Sequence, residues 1–389
     1  MRFPKVAIVV LDGVGCGGAP DAAAFGDEGS DTLGNTARVV GGLGLPNLGA
    51  LGLGNATRIE GVPPVAAPRA SFGRLRESAA GKDTTTGHWE MAGHVLKAAF
   101  PTFPHGFPKE VMAQFERIAG APALGNVVAS GTEILVRLGE EHQRTGRPIV
   151  YTSADSVFQI AAHEAVVPIE ELYRICREMR LVLVGEWGVG RVIARPFEGS
   201  PGSYRRTLRR RDFSREPEGP TLLDLLKAAG KDVVSVGKID DIFAGRGITR
   251  SRHVLPHDQC IAATIDSLNE LRAGLVFTNL VEFDMTYGHR NDPQGMARAL
   301  EDLDRRVPAL LEAAAKDTML IFTADHGNDP TTASTDHSRE EVPLLVWTGG
   351  KGKALGTRTS FADVAATIAE DFGLSGTLAG TSFLADLPS

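Results

Sequence analysis

The chain has 389 residues, of which 42% are hydrophobic and 23% charged, the composition of an ordinary folded protein and not of a disordered one. At roughly 150 residues per domain it is long enough for two or three domains, each with a sizeable core. Lys plus Arg number 41 against 48 for Asp plus Glu, a net charge of −7, so the surface repels phosphate backbones and general nucleic-acid binding is not expected. The three cysteines, Cys16, Cys176 and Cys260, lie far apart and form no CxxC pair. That argues against a disulfide framework or structural zinc and fits a reducing compartment. The first apolar run, residues 6–11, stops at Asp12 and is too short for a signal segment or a membrane span. A cytoplasmic protein without a membrane partner is expected.

Residues 6–11 (Val-Ala-Ile-Val-Val-Leu) form a continuous β-branched run, the pattern of a strand buried on both faces of a parallel sheet. The same design recurs at 275–281, leading into Glu282-Phe-Asp284, and at 319–324, leading into Asp325-His326-Gly327. A fourth run, 344–347, ends in Thr-Gly-Gly. Helical spacing of apolar residues falls at 221–229, 257–273, 293–315 and 361–372, with glycines following the first and last. Strands alternating with helices predict a parallel α/β sheet whose chemistry sits on loops at the carboxyl ends of the strands. Between Pro101, Pro104 and Pro108 and a second break at 216–220 the pattern changes to mixed helices and strands, such as 131–143 and 148–152. This predicts a smaller domain, residues 100–218, inserted into a core formed by 1–99 and 219–389.

Carboxylates and imidazoles gather at the predicted strand ends and in loops: Asp12, Asp284 with His289, Asp325-His326, and His337. Oxygen and nitrogen ligands without thiolate favour Mn²⁺, Mg²⁺ or Zn²⁺. Six such groups exceed what one open catalytic ion takes, and they suit two ions about 3.5–4 Å apart clamping a phosphate. The segment GKDTTTGHWE then places hydroxyls where a loop enters a helix. Such a hydroxyl, activated by metal, is a candidate nucleophile, and the helix N-terminus offers N–H groups to phosphate oxygens. The plainer alternative is that Asp83 or Thr84 only caps the helix.

These segments together resemble the alkaline phosphatase superfamily and, within it, the phosphopentomutase family. The likeness runs through essentially the whole chain: VVLDGVGCGGAPDA, GKDTTTGHWEMAG, YTSADSVFQIAAHE, RVIARPF, VGKIDDIFAGRGIT, DMTYGHRND and TADHGNDP followed by DHSREEVPLL. The resemblance implies an alkaline-phosphatase-like α/β/α core with an inserted α+β cap. It implies an isomerase interconverting ribose 1-phosphate, or 2-deoxyribose 1-phosphate, with the 5-phosphate. By the same likeness Asp284, His289 and His337 hold one Mn²⁺ ion, and Asp12, Asp325 and His326 hold a second beside Thr84. Thr84 is then the phosphorylated residue, because the family's residue directly follows the Lys-Asp pair. A sugar bisphosphate, such as glucose 1,6-bisphosphate or ribose 1,5-bisphosphate, is the implied activator.

The run Tyr204-Arg-Arg-Thr-Leu-Arg-Arg-Arg-Asp-Phe-Ser-Arg215 is basic in an acidic protein. Guanidinium forks suit a phosphate that is held but not cleaved. The resemblance gives that role to Arg191 and Arg206, places Ser153, Asp155, Val157 and Ile193 around the pentose, and brings Lys238 to a substrate or activator phosphate. A monomer acting on a small pentose phosphate is expected. Other readings are less well supported, among them a non-catalytic sugar-phosphate or nucleic-acid binding protein, which would not need two sets of metal ligands and a hydroxyl. Gly13-Val-Gly15-Cys-Gly-Gly18 satisfies GxGxxG, but the following Ala-Pro-Asp interrupts the helix a dinucleotide site needs. A cofactor-independent phosphoglycerate mutase characteristically carries serine where Thr84 stands. A metal-dependent phosphatase or sulfatase shares the metal chemistry and differs in passing the phosphoryl or sulfuryl group to water.

Overall fold

Strand β1 (Lys5–Leu11) is buried from Val6 onward, which only layers on both faces of a sheet can achieve. The computed structural model describes residues 1–153, 156–315 and 317–388. Its contacts divide the chain into two compact units, Met1–Ala98 with Pro217–Ser389, and Ala99–Glu216. After β1 the larger unit continues through helices α1 (Thr32–Val40), α2 (Pro46–Leu51) and α3 (Leu53–Ala56), strand β2 (Ser71–Leu75) and helix α4 (Thr84–Met91). The smaller unit holds α5 (Lys109–Ala119), β3 (Leu124–Val128), α6 (Glu133–Thr145), β4 (Ile149–Thr152), β5 (Val157–His163), α7 (Ile169–Val182), β6 (Arg191–Glu198), β7 (Arg205–Arg206) and β8 (Arg211–Ser214). The chain then completes the larger unit with α8 (Leu222–Ala228), β9 (Asp232–Val236), α9 (Ile239–Ile242), β10 (Arg250–Arg252), α10 (His257–Glu270), β11 (Gly274–Leu280), α11 (Pro293–Ala314), β12 (Thr318–Thr323), β13 (Val342–Trp347), β14 (Ala354–Arg358) and α12 (Ala362–Phe372).

In the larger unit the strand order is β10-β9-β11-β1-β12-β13-β2-β14. The three central strands, β11, β1 and β12, are parallel and in register, Leu11 opposite Leu280 and Val10 opposite Thr323. Their carboxyl ends therefore finish along one edge. The expectation of an all-parallel sheet fails at the fourth apolar run, because β13 is antiparallel to both β12 and β2. A parallel return needs a crossover to the opposite edge, usually a helix. Residues 324–341 form no such helix, so the chain re-enters the sheet from the edge where β12 ended. Among the described residues no helix is long and apolar enough to cross a membrane.

The smaller unit is built on a sheet ordered β3-β4-β5-β6-β7, with β8 also pairing β6. Alternation divides its side chains between two cores. Val150, Phe158, Ile160 and Val192 pack with Phe115 of α5 and Met179 of α7. Ile149, Tyr151, Ala161 and Phe197 pack with Ile134 and Leu135 of α6. Tyr151, Gln159, Ile193 and Asp212 lie in one row across β4, β5, β6 and β8.

Candidate metal centre

Asp12 follows β1 directly, Asp325 follows β12 after Ala324, and Asp284 lies in a short π-helical turn after β11. Three adjacent parallel strands thus deliver three carboxylates to one edge of the sheet, where open α/β sheets place their ligands. All three are buried, and no Lys or Arg among the described residues pairs with them. Their neighbours are imidazoles. His326 Nε2 lies 3.4 Å from Asp12 Oδ1 and 3.3 Å from Asp325 Oδ2. His289 Nε2 is 3.1 Å from Asp284 Oδ2, and His337 Nε2 is 3.6 Å from Asp284 Oδ1.

The ring orientations are set from outside the cluster. His326 Nδ1 donates to the Gly327 carbonyl at 3.0 Å and His289 Nδ1 to the Thr335 carbonyl at 2.7 Å. These tautomers, assigned from the hydrogen bonds, leave both Nε2 atoms as lone-pair donors facing the carboxylates, the arrangement of metal-ligating histidine. The ligand atoms of Asp284, His326 and His337, and those of Asp12, Asp325 and His326, each lie within 4.8 Å of one another. His326 is common to both groups, and His289 joins the first through Asp284.

Electrostatics point the same way. Burial raises the Asp284 carboxyl, but His337, His289 and His326 outweigh it and hold the group well below the usual carboxylate range. Burial likewise opposes ionisation of Asp325, and His326 and His88 bring it below its ordinary value. Asp12 is shifted upward by burial and by the Asp325 charge. Burial pulls His326 down, yet Asp325 and Asp12 raise it well above an ordinary imidazole. A set of buried carboxylates that must be neutralised by protons on imidazole is one that divalent cations would neutralise instead. Asp12 Oδ1 and Asp325 Oδ2 are moreover buried without a hydrogen-bond partner among the described residues. Orphaned carboxylate oxygens of this kind fit a metal.

Thr84 is the first residue of α4, and its Oγ1 lies 3.1 Å from His326 Nε2. The cap is Asp83: one carboxylate oxygen accepts from the Thr85 and Thr86 N–H groups at 3.0 and 3.2 Å, and the other from Thr86 Oγ1 at 2.6 Å. The hydroxyl of Thr84 is therefore not used in capping. Helix α4 can lie against the strand end because residue 87 is glycine; a Cβ there would come within 2.0 Å of the Asp325 carbonyl oxygen. The loop before Thr84 is held by Arg339, only 3% exposed, which donates to the Gly81 carbonyl and to Glu77 Oε2, each at 2.7 Å.

Three supporting side chains were not singled out in the sequence. His88, one turn after Thr84, donates from Nδ1 to the Thr84 carbonyl at 2.8 Å, and this nitrogen lies 3.0 Å from Asp325 Oδ2. Its Nε2 accepts from Asn279 Nδ2 at 3.2 Å, and the same amide donates to Asp12 Oδ2 at 2.6 Å. Asn328 Nδ2 donates to Asp284 Oδ1 at 2.6 Å. The glycines at 13–18 also serve this edge: Gly13 N–H donates to Asp325 Oδ1 at 3.1 Å and Gly17 N–H to Glu340 Oε2 at 3.2 Å. No α-helix opens directly after them, so they do not form a dinucleotide loop.

The remaining expected residues are placed as follows. Lys238 is the residue before α9, just after β9, in the larger unit. Val157, Arg191, Ile193 and Arg206 lie in the smaller unit, where Val157 opposes Arg191 across β5 and β6, and Arg191 Nη1 is 3.5 Å from Asp212 Oδ2. Ser153 directly follows β4, and Asp155 lies outside the described residues.

A family model described as the metalloenzyme superfamily matches residues 4–376. A relative from Anaeromyxobacter dehalogenans (strain 2CP-C), named phosphopentomutase, is 60% identical over 385 residues, 98% of each chain. The chain belongs to the phosphopentomutase family. A further relative of that name from Caldanaerobacter subterraneus subsp. tengcongensis is 55% identical, covering 99% of this chain and 98% of its own. As a member of the phosphopentomutase family the chain is an isomerase, and its superfamily makes it a metalloenzyme. Among solved structures, a phosphoglycerate mutase from Leishmania mexicana covers 98% of this chain and 97% of its own with a TM-score of 0.50 at 13% identity. That likeness concerns the fold alone.

Proposed function

We propose that the chain interconverts ribose 1-phosphate, or 2-deoxyribose 1-phosphate, with the 5-phosphate through a phosphothreonine at residue 84. The observation that carries this reading is the Thr84 hydroxyl, not used in capping and 3.1 Å from His326 Nε2, beside buried carboxylates with orphaned oxygens. Asp284, His289 and His337 would hold one Mn²⁺ ion, and Asp12, Asp325 and His326 the other. Bound there, such ions lower the pKa of an alcohol and neutralise charge on a transferring phosphoryl group. The chain's own residues do the rest. Asp83 pins the helix start, His88 fixes the Thr84 carbonyl and Asp325, and Arg339 fixes the loop that leads to Thr84.

In the proposed cycle, phosphorylated Thr84 donates its phosphoryl group to the C1 hydroxyl of ribose 5-phosphate. The phosphorus–Thr84 oxygen bond breaks as the phosphorus–sugar oxygen bond forms, and the sugar's hydroxyl proton passes to Thr84. The bisphosphorylated sugar reorients, and Thr84 takes back the 5-phosphate by the reverse exchange. A sugar bisphosphate would therefore act as activator by loading Thr84. The smaller unit would recognise the substrate, with Arg191 and Arg206 on the non-reacting phosphate and Ser153, Asp155, Val157 and Ile193 around the pentose. Lys238 would meet a phosphate in the larger unit.

One assay tests this reading. With Mn²⁺, the protein converts ribose 1-phosphate to ribose 5-phosphate, and a catalytic amount of ribose 1,5-bisphosphate raises the rate without being consumed in proportion to product. Inorganic phosphate accumulating as fast as the isomerised sugar would make the protein a phosphatase instead.

A further inference from the structure

Tyr151, at the centre of β4, is only 1% exposed, and its hydroxyl is buried without a hydrogen-bond partner among the described residues. Buried tyrosine hydroxyls ordinarily find a partner. What surrounds this one is cationic and backbone in character. A Cβ built on Gly131 would lie 3.0 Å from Tyr151 Oη and 3.2 Å from Arg206 Nη1, so the phenol, a guanidinium and the backbone before α6 converge on one spot. Gly131 stands two residues ahead of that helix, which runs for 13 residues from Glu133. At this terminus Ser130 Oγ accepts from the Glu133 N–H at 3.1 Å. The N–H groups of Gly131 and Thr132 have no acceptor among the described residues. Helix starts of this kind favour anions.

The charges facing the spot are Arg195, Arg206 and Arg210, all of which act on the phenol. Arg195 donates to Gln159 Oε1 at 3.0 Å, and Arg210 is paired with Asp212 at 2.7 Å. Asp212 is also shared with Arg191. Burial raises the phenol above its ordinary value, which leaves it protonated, and so a donor, at neutral pH.

We propose that Tyr151 Oη, together with the N–H groups opening α6 at Gly131 and Thr132, binds the phosphate of the sugar phosphate that is not transferred, alongside Arg206. The inference rests on the reading of Arg206 given above and adds a donor and a helix terminus to it. Any side chain at 131 would press on both Tyr151 Oη and Arg206 Nη1.

The test uses the full Mn²⁺-loaded chain and Tyr151→Phe, which removes only the hydroxyl. The KM for ribose 5-phosphate should rise at least tenfold, with kcat within threefold. Hydrolysis of 4-nitrophenyl phosphate, which has no second phosphate, should be unchanged, and the melting temperature should not fall. Gly131→Ala should give the same KM effect, and it decides the matter if Tyr151→Phe does not fold. A KM within twofold of the parent overturns the proposal, as does an equal loss on both substrates with a lowered melting temperature. The two readings fail separately. If the parent chain does not isomerise ribose 5-phosphate, but Tyr151→Phe still weakens inorganic phosphate binding in calorimetry, the anion seat stands and the proposed activity falls. If the parent isomerises and Tyr151→Phe is indistinguishable from it, only the seat falls.

Discussion

Thr84 needs three neighbours to be useful, and each does a different thing. Asp83 takes over the capping that a threonine at a helix start would otherwise do. His326 Nε2 faces its hydroxyl, and His88 ties its carbonyl to Asp325 and to Asn279. Thr84→Ala should reduce isomerisation to background while Thr84→Ser retains measurable turnover, and mass spectrometry of the active protein should find phosphate on residue 84 alone. Because His88 orients Asp325 without being among the six ligand candidates, His88→Asn should weaken metal binding about 10- to 100-fold. Metal analysis after dialysis against a graded chelator reads that directly. Asp12, Asp284 and the pair Asp325-His326 were visible in the sequence because they follow apolar runs, whereas His289 and His337 lie in polar loops and stood out through the family resemblance. His88 and Asn279 were harder to see. Asn279 is a polar residue inside the run 275–281, which is the signal its sequence carries, whereas the role of His88 depends on a helix packing within hydrogen-bond reach of another strand.

Helix α4 meets the end of β12 through Gly87, where a methyl group would sit 2.0 Å from the Asp325 carbonyl oxygen. Backbone against backbone cannot yield as a flexible side chain does, so Gly87→Ala should cost about 1–3 kcal/mol by overpacking. It should also lower turnover more than Asp83→Asn does, as paired melts and assays would show. A second junction is held by Glu340. Its buried carboxylate accepts from Thr32 N–H and Oγ1 at 2.9 and 2.8 Å, Ser338 Oγ at 2.8 Å and Gly17 N–H at 3.2 Å, joining α1, the loop after β1 and the loop before β13. Burial nevertheless outweighs these donors and pushes its pKa up to about 7. An acid raised on folding holds an extra proton in the folded chain between its unfolded value and 7. Stability therefore falls as pH climbs through that window and levels off above it, by about 3 kcal/mol in all. Glu340→Gln should flatten the fall between pH 5 and 7 in calorimetry; an unchanged slope would assign it to other groups. The apolar cores of these strands and helices were legible as runs and spacings. The direction of β13 was not, because it depends on residues 324–341 staying at one edge of the sheet.

The residues proposed for catalysis and for recognition fall in two separate bodies of structure. The larger unit carries Thr84 and the carboxylate and imidazole groups, and the smaller carries Tyr151, Arg191, Ile193 and Arg206. The smaller unit has cores of its own, and the larger is closed where the chain leaves and returns: the Leu222 N–H donates to the Ala92 carbonyl at 2.8 Å. The ends left by removing residues 99–216 are therefore near enough for a short flexible linker. A shortened chain of this kind should fold, bind two metal ions and still hydrolyse 4-nitrophenyl phosphate, since nothing proposed for that reaction lies in the removed part. Isomerisation of ribose phosphates should fall by several orders of magnitude, because in the proposed cycle binding energy from the non-reacting phosphate positions the sugar for transfer. Phosphothreonine formed in the shortened chain would have water as its main acceptor. Labelled phosphate that goes to sugar in the full chain should then appear as inorganic phosphate. Retained isomerisation would place substrate recognition in the larger unit, and loss of ester hydrolysis together with metal would show that the larger unit does not keep its centre by itself.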